Sequence, residues 1–512
     1  MQQLAQELRE RADRSPHDIA VVDADGEHTV GEVVGEADRL ARLLQNTLDG
    51  PPTVLVQADN SWRTLAAAAA VGMRGGLVAV ISGHATRSEY EFALEDIRPD
   101  AVVAAPGTVA TWRVSTDELP SAGTALDGWS VHASRSGSSL GVARWRGGVV
   151  IAMTSGSTGR PKCVVQSEAA LRYAGQATID AVGLRPGDPV GALVPLSSVA
   201  AFCFGMYLSA MLGAPMVCLA KWNPQDAVAL LRERRVAWTM LVPTMALQLS
   251  LVSASEGALT SLKAMTVGGG PMNAQALERA ETHLGTRFLR VFGMSECLGH
   301  TTPLPSDSAE VRLGRDGRPF PGTEVRVVGD DGSPLSDGEV GHAQVRGPSR
   351  FVGYARNGAA QPAELTADGF LPTGDRACIN DDGSISILGR EKQVIIRGGR
   401  NIDIHEVEAA LAAIPGVAQV CVVPVPDPLL GERAAALLVV SGAELKLEDV
   451  RRHLEAADFP KFKWPEFVHA VPSLPQNRVG KLDRKEAISL ASELSGATGE
   501  RSADHGPLGT LT

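Results

Sequence analysis
The sequence predicts an α/β protein: a large N-terminal domain of layered α/β subdomains plus a β-rich subdomain, followed by a small α+β C-terminal domain. Three observations predict it. In the first half of the chain, short apolar runs with strand character alternate with runs of helical period, the pattern of parallel strands covered by helices. Farther on, short strands are punctuated by Asp-Gly and Gly-x turns. The last unit is small and mixes two helices with two strands, and 512 residues are too many for one ordinary core.

Taken in order, Ile19–Val22, Thr53–Gln57, Leu77–Ile81, Ala101–Ala104 and Gly148–Met153 have strand composition, and Val33–Leu44 and Trp62–Val71 fall between them as helices. From Pro189 to Ala220 there is no charged side chain, a run long enough to span a bilayer. Pro189, Pro195, Pro215, Gly191, Gly205 and Gly213 divide it into strand Gly191–Val194, helix Ala200–Leu212 and strand Pro215–Leu219. Each piece has the size of a buried core element, so no membrane span is expected. Residues 311–389 read as the β-rich subdomain, with strands at Glu324–Val328, Gly341–Val345 and Ser384–Leu388. Beyond Arg390 come helix Glu406–Ala413, strands Val417–Val423 and Ala434–Val440, and helix Leu447–Ala456. Residues 496–512 are small, polar and Gly-rich, which predicts a disordered tail.

Lys and Arg number 48 against 59 Asp and Glu, a net charge of −11. That balance excludes general nucleic-acid binding, which needs a basic face. The six cysteines form no C-x-x-C pair and match no zinc spacing, so reduced thiols are expected. Met1–Arg11 lacks the apolar core of a signal peptide, and Gly509-Thr510-Leu511-Thr512 is no retention or peroxisomal address. A cytoplasmic location is the expectation.

Only nine of the 48 basic residues are lysines, and the first is Lys162. It closes the run Thr154-Ser155-Gly156-Ser157-Thr158-Gly159-Arg160-Pro161-Lys162 after strand Val149–Met153. Glycines let backbone N–H groups approach an anion, and hydroxyls and a lysine add donors and charge. The spacing is not that of a P-loop, which places Gly-Lys-Ser/Thr together. It resembles the signature of the adenylate-forming superfamily: acyl-CoA synthetases, aryl-CoA ligases, luciferases and peptide-synthetase adenylation domains.

Further stretches resemble that superfamily's motifs in the same order, over roughly residues 15–490. The resemblance implies that Thr154, Ser155, Gly156, Ser157, Thr158, Gly159 and Lys162 bind the phosphates of ATP. Gly269, Gly270 and Pro271 would lie along the adenine, with Phe292 and Gly293 on its other side. In Val291-Phe292-Gly293-Met294-Ser295-Glu296, Ser295 would bond the α-phosphate and acyl region, and Glu296 would ligate Mg²⁺. Asp375 of Thr373-Gly374-Asp375 would hold the ribose, with Arg390 beside it. Lys392 falls at a hinge (390–392) between an N-terminal domain, 1–389, and a mobile C-terminal domain, 393–495. Gly398 and Gly399 would line a thiol tunnel. Pro475-Gln476-Asn477-Arg478-Val479-Gly480-Lys481-Leu482-Asp483-Arg484 resembles the closing motif, which makes Lys481 the adenylation lysine.

The implied chemistry explains the residue types. A carboxylate activated by ATP must approach an anionic α-phosphate, and lysines with a divalent ion offset that repulsion. The implied products are AMP, pyrophosphate and a thioester of coenzyme A. A carrier-protein phosphopantetheine or a luciferase-like oxygenation are the alternative second steps. No Asp or Glu lies between Pro189 and Gln225 to pair with an ammonium, which disfavours amino acids. By the resemblance, Ser198 and Ala200 stand where aryl and acyl relatives often carry a His and a bulky ring. With Phe202, Met206, Val242, Gly268 and Met294 they would form a wide pocket for a bulky apolar acid, polycyclic, terpenoid or aryl. His300, His342 and His405 have no partner pattern that marks a catalytic role. The resemblance leaves room for a homodimer.

Overall fold
The computed structural model describes residues 1–134, 141–154, 161–252, 255–270, 272, 274–390, 393–398, 400–440, 445–478 and 480–499. Two large sheets dominate the N-terminal part. One has seven strands, ordered Phe288–Val291, Ala264–Gly268, Trp238–Leu241, Val190–Ala192, Met216–Cys218, Ile19–Asp23 and Gly26–Thr29. All neighbours in it are parallel except the last hairpin. The other has nine strands, and its centre, from Gly148–Thr154 through Leu77–Ser82 and Thr53–Ala58 to Ala101–Ala104, is parallel. These central strands are Val- and Ala-rich and buried on both faces, as parallel strands require. The helix Trp62–Met73 fits among them because Ala66–Ala70 present little bulk in any direction, and all five are fully buried.

The edges of the nine-stranded sheet are antiparallel, which alternation of strand and helix alone did not predict. Lys162–Ser167 folds back on Gly148–Thr154, so the Ser/Gly run of the phosphate loop joins two antiparallel strands. Beyond it lie Gly353–Arg356 and Ala359–Gln361. Those two strands correct the expected extent of the β-rich subdomain. Glu324–Val328, Gly341–Arg346, Leu371–Ile379 and Ile385–Arg390 form a separate four-stranded antiparallel sheet. Gly353–Arg356 leaves it to pair with Lys162–Ser167, with Tyr354 opposite Val164. The cause is a shared apolar seam of Val164, Cys297, Val345, Phe351 and Leu371.

The charge-free run is divided as expected into strand, helix and strand. Its helix changes pitch midway, with Phe202–Tyr207 as a π-helical stretch. Among the described residues no helix is long and apolar enough to cross a membrane. The C-terminal unit is a five-stranded sheet with helices Ile404–Ala412, Leu447–Ala456 and Arg484–Gly499. That last helix corrects the expected tail: residues 496–499 are helical, and 500–512 lie outside the described residues.

Candidate active site
Most of the described candidate residues converge where the C-terminal unit meets the two large sheets. The meeting point is the turn carrying Lys481. Asn477 N donates to the Lys481 carbonyl at 2.7 Å, and Lys481 N donates to Asn477 Oδ1 at 3.0 Å. This hairpin docks on helix Pro243–Ser250, where Thr244 Oγ1 donates to the Gly480 carbonyl at 2.6 Å. Val242 and Met245 pack against Gly480. At the rim, Arg478 pairs with Glu89 at 2.5 Å, and Glu89 also closes the capping box of helix Arg87–Ile97.

The Lys481 side chain therefore reaches the loop Gly268–Gly270. Gly269 has φ +87°, and a Cβ there would lie 2.9 Å from Lys481 Nζ, so glycine leaves the space that the ammonium fills. Lys481 as a residue stays exposed, while its ammonium is surrounded by protein. That desolvation lowers its pKa, helped by the charge of Arg390 and opposed by that of Glu296. Arg390 in turn donates from Nε to Asp375 Oδ1 at 3.0 Å, its cross-strand partner. Asp375 is buried, and a register irregularity in strand Leu371–Ile379, where Gly374 has φ +73°, positions it, with Asp375 N donating to Thr373 Oγ1 at 3.1 Å.

Glu296 sits in the bend after strand Phe288–Val291. Gln166 Nε2 holds the Ser295 carbonyl at 2.9 Å, and Phe351 N holds that of Glu296 at 2.8 Å. The Tyr354 hydroxyl donates to Glu296 Oε1 at 2.7 Å. Lys162 Nζ stands 5.1 Å from the centre of the Tyr354 ring, and Lys162 pairs with Thr154 across the base of the phosphate loop. Desolvation and the neighbouring carboxylate raise the Tyr354 pKa, so the phenol stays protonated and donates. Tyr354, Gln166, Thr244 and Arg478 were not singled out by the sequence; only the rarity of tyrosine, four in the chain, could have flagged Tyr354.

Phe292 is pinned by Thr301 on both its N–H and its carbonyl, and its ring meets His300 edge-on at 4.6 Å. His300 is fully buried, and its Nδ1–H donates to the Cys297 carbonyl at 2.9 Å. Burial lowers its pKa to about 4 and keeps it neutral. Gly293 packs against the backbone of Gly299, and Gly268 against Val291.

Ser198 caps the pocket helix by accepting from Ala201 N at 3.2 Å, and Ala200 is half-buried beside it. Phe202 and Met206 have no accessible surface and lie in the core, so they back the pocket helix and do not face an opening. Phe204 takes a place the sequence did not assign to it. Its ring tip would stand 2.7 Å from a Cβ at Gly299, in the turn following Glu296, so an aromatic ring fills volume there. Met294 and Gly268 are half-buried, and Val242 is buried.

Gly398 is not brought to this cluster: it turns the hairpin between Val394–Arg397 and Arg400–Asp403 and donates to the Leu430 carbonyl at 2.8 Å. Ser155, Gly156, Ser157, Thr158, Gly159, Pro271, Lys392 and Gly399 lie outside the described residues. Among the described residues no cluster of three or more His, Cys, Asp or Glu could hold a metal by itself. Glu296 uses one carboxylate oxygen for Tyr354, and Oε2 suits an ion such as Mg²⁺ that takes most of its oxygens from water and phosphate.

The family model described as AMP-binding enzyme matches residues 8–355, and the one described as AMP-binding enzyme C-terminal domain matches 406–481. A salicylyl-CoA synthase / salicylate adenylyltransferase of a Streptomyces species is 31% identical, covering 93% of this chain and 92% of that protein. A 2-hydroxy-7-methoxy-5-methyl-1-naphthoate–CoA ligase of Streptomyces carzinostaticus is 33% identical over 67% of this chain and 63% of its own. The ATP-bound crystal structure of MatB from Rhodopseudomonas palustris superposes with a TM-score of 0.81 at 26% identity, covering 96% of this chain and 99% of that one.

Proposed function
This chain belongs to the AMP-binding enzyme family, and we propose that within it the protein is an acyl-CoA synthetase for an aryl carboxylic acid. It is an AMP-forming acid–thiol ligase. The observation that carries the proposal is Lys481, delivered by the C-terminal unit onto Gly269 of the other lobe, within the fields of Arg390 and Glu296.

In the first half-reaction a carboxylate oxygen of the acid attacks the α-phosphorus of ATP and pyrophosphate leaves. Lys481 faces both anions, and Lys162 carries charge toward the phosphates. Losing such a preorganised donor costs about 3–4 kcal/mol of barrier. Ser295 and Phe292 would orient the α-phosphate and adenine, and Asp375 the ribose, with Arg390 steadying Asp375. Glu296 would hold Mg²⁺, which when bound neutralises phosphate charge. In the second half-reaction the coenzyme A thiol, as thiolate, attacks the acyl carbonyl and AMP leaves. Gly398 turns a hairpin bonded to Leu430 while Lys481 docks on Gly269, and a rotation of the C-terminal domain about 390–392 would exchange the two.

Two observations favour a compact aryl acid over the polycyclic or terpenoid acid expected from Ser198 and Ala200. Phe204 fills volume beside Gly299, and Phe202 and Met206 are closed off in the core. The salicylate relative points the same way, and the naphthoate relative, whose acid has two fused rings, supports the aryl class without the compactness. The test is hydroxamate trapping of acyl-AMP with ATP and Mg²⁺ over salicylate, hydroxynaphthoates, a diterpenoid acid and a long-chain fatty acid. The best acid is then offered coenzyme A or a phosphopantetheinyl carrier protein. Turnover with an aryl acid and coenzyme A is expected; a clear preference for the diterpenoid acid or for the carrier overturns the respective half of the proposal.

A further inference from the structure
Glu296 and Lys162 belong to segments 134 residues apart in the chain, and both touch one side chain. Tyr354 donates its hydroxyl to Glu296 Oε1 at 2.7 Å and places its ring 5.1 Å below Lys162 Nζ. Its backbone is fixed opposite Val164, on the strand that Lys162 begins. Its ring is braced at 4.9 Å by the edge of Phe351, whose N–H holds the Glu296 carbonyl. Gln166, also on the Lys162 strand and fully buried, holds the Ser295 carbonyl. The bend carrying Ser295 and Glu296 is thus tied once to the strand that follows the phosphate loop, through Gln166, and twice to the neighbouring segment of Phe351 and Tyr354 that pairs with that strand.

We propose that Tyr354 is a positioning residue that sets the Glu296 carboxylate in register with Lys162, so that one oxygen is fixed by the phenol and the other is presented to the cation accompanying ATP. This inference rests on the reading of Glu296 as the metal-binding carboxylate. A glutamate without the phenol has three free side-chain torsions, and holding it in one orientation removes an ordering cost from cation binding. The ring serves Lys162 separately: an ammonium over an aromatic face is attracted to it, and the ring limits where the flexible stem can go.

The experiment measures Mn²⁺ binding by electron paramagnetic resonance on the full chain with α,β-methylene ATP, which cannot be adenylated. Tyr354→Phe is expected to weaken Mn²⁺ binding about tenfold, the loss of one hydrogen bond to a charged group, while leaving metal-free nucleotide binding and thermal unfolding as in the parent. Tyr354→Leu also removes the ring, and should weaken metal-free nucleotide binding about threefold. Glu296→Gln is the reference. Parent-like Mn²⁺ affinity in Tyr354→Phe, with affinity lost in Glu296→Gln, overturns the positioning role alone. Parent-like affinity in both overturns the metal reading of Glu296 and this inference with it.

Discussion
Arg478 lies three residues before Lys481 on the hairpin that docks against the large lobe, and its guanidinium pairs with Glu89 at 2.5 Å. The two side chains are 43% and 31% exposed, so the pair is half solvated. A pair of this kind contributes about 0.2–1 kcal/mol, or roughly a 1.4- to 5-fold change in the population of the docked hairpin. Arg478→Gln should therefore slow acid-dependent pyrophosphate–ATP exchange by about that factor. Thioesterification of supplied acyl-AMP, which does not use the docked lysine, should stay unchanged. Glu89→Gln removes the same charge while a Gln at that position preserves the capping box with Thr86. The double variant should be no slower than either single one, and at high salt the parent should approach all three. Additive losses, or equal losses in the two half-reactions, would refute the idea that this pair latches the adenylating arrangement.

Gly269→Ala places a methyl 2.9 Å from Lys481 Nζ at a φ of +87°. It should cost about 1–2 kcal/mol in the loop and reduce exchange far more than thioesterification; a uniform loss would show that the lysine does not work from here. Phe204→Leu frees volume beside Gly299, and should move the preference in hydroxamate trapping toward bulkier acids; an unchanged ranking would take Phe204 out of the pocket wall. His300 titrates at about 4 when folded against an ordinary 6.5. The unfolded chain therefore binds a proton first, and stability should fall as pH drops from about 6.5 to 4. His300→Asn should lose less of its melting temperature over that window; parallel curves would contradict it.

The layered architecture was legible because period and punctuation are local: strand Glu324–Val328 and helix Leu447–Ala456 fall where the pattern put them. The departure of Gly353–Gln361 from the β-rich sheet was not, since it follows from an apolar seam assembled by remote residues. In the site, lysine scarcity drew attention to Lys162 and Lys481, which the structure sets on Tyr354 and Gly269 respectively. The Tyr354–Glu296 and Glu89–Arg478 pairs were invisible because each depends on a partner far away in sequence. Ser198 and Ala200 suggested space by being small, but a void is a property of all the neighbours together, and Phe204 is one of them.

Arg484, three residues beyond Lys481, grips both oxygens of Glu408 at 2.9 and 3.0 Å and also donates to the Val422 carbonyl. Asp483 between them caps the final helix by accepting from Lys485 N and Glu486 N. The lysine is therefore mounted on a stiff bracket bolted to both helix and sheet. Local fraying cannot release it cheaply; withdrawing it means moving the whole block. The tempo of handover between one chemical step and the next would then be set by the diffusive swing of a folded body and the contacts it must break, and a substitution that loosens the bracket should blur timing before it blunts either step.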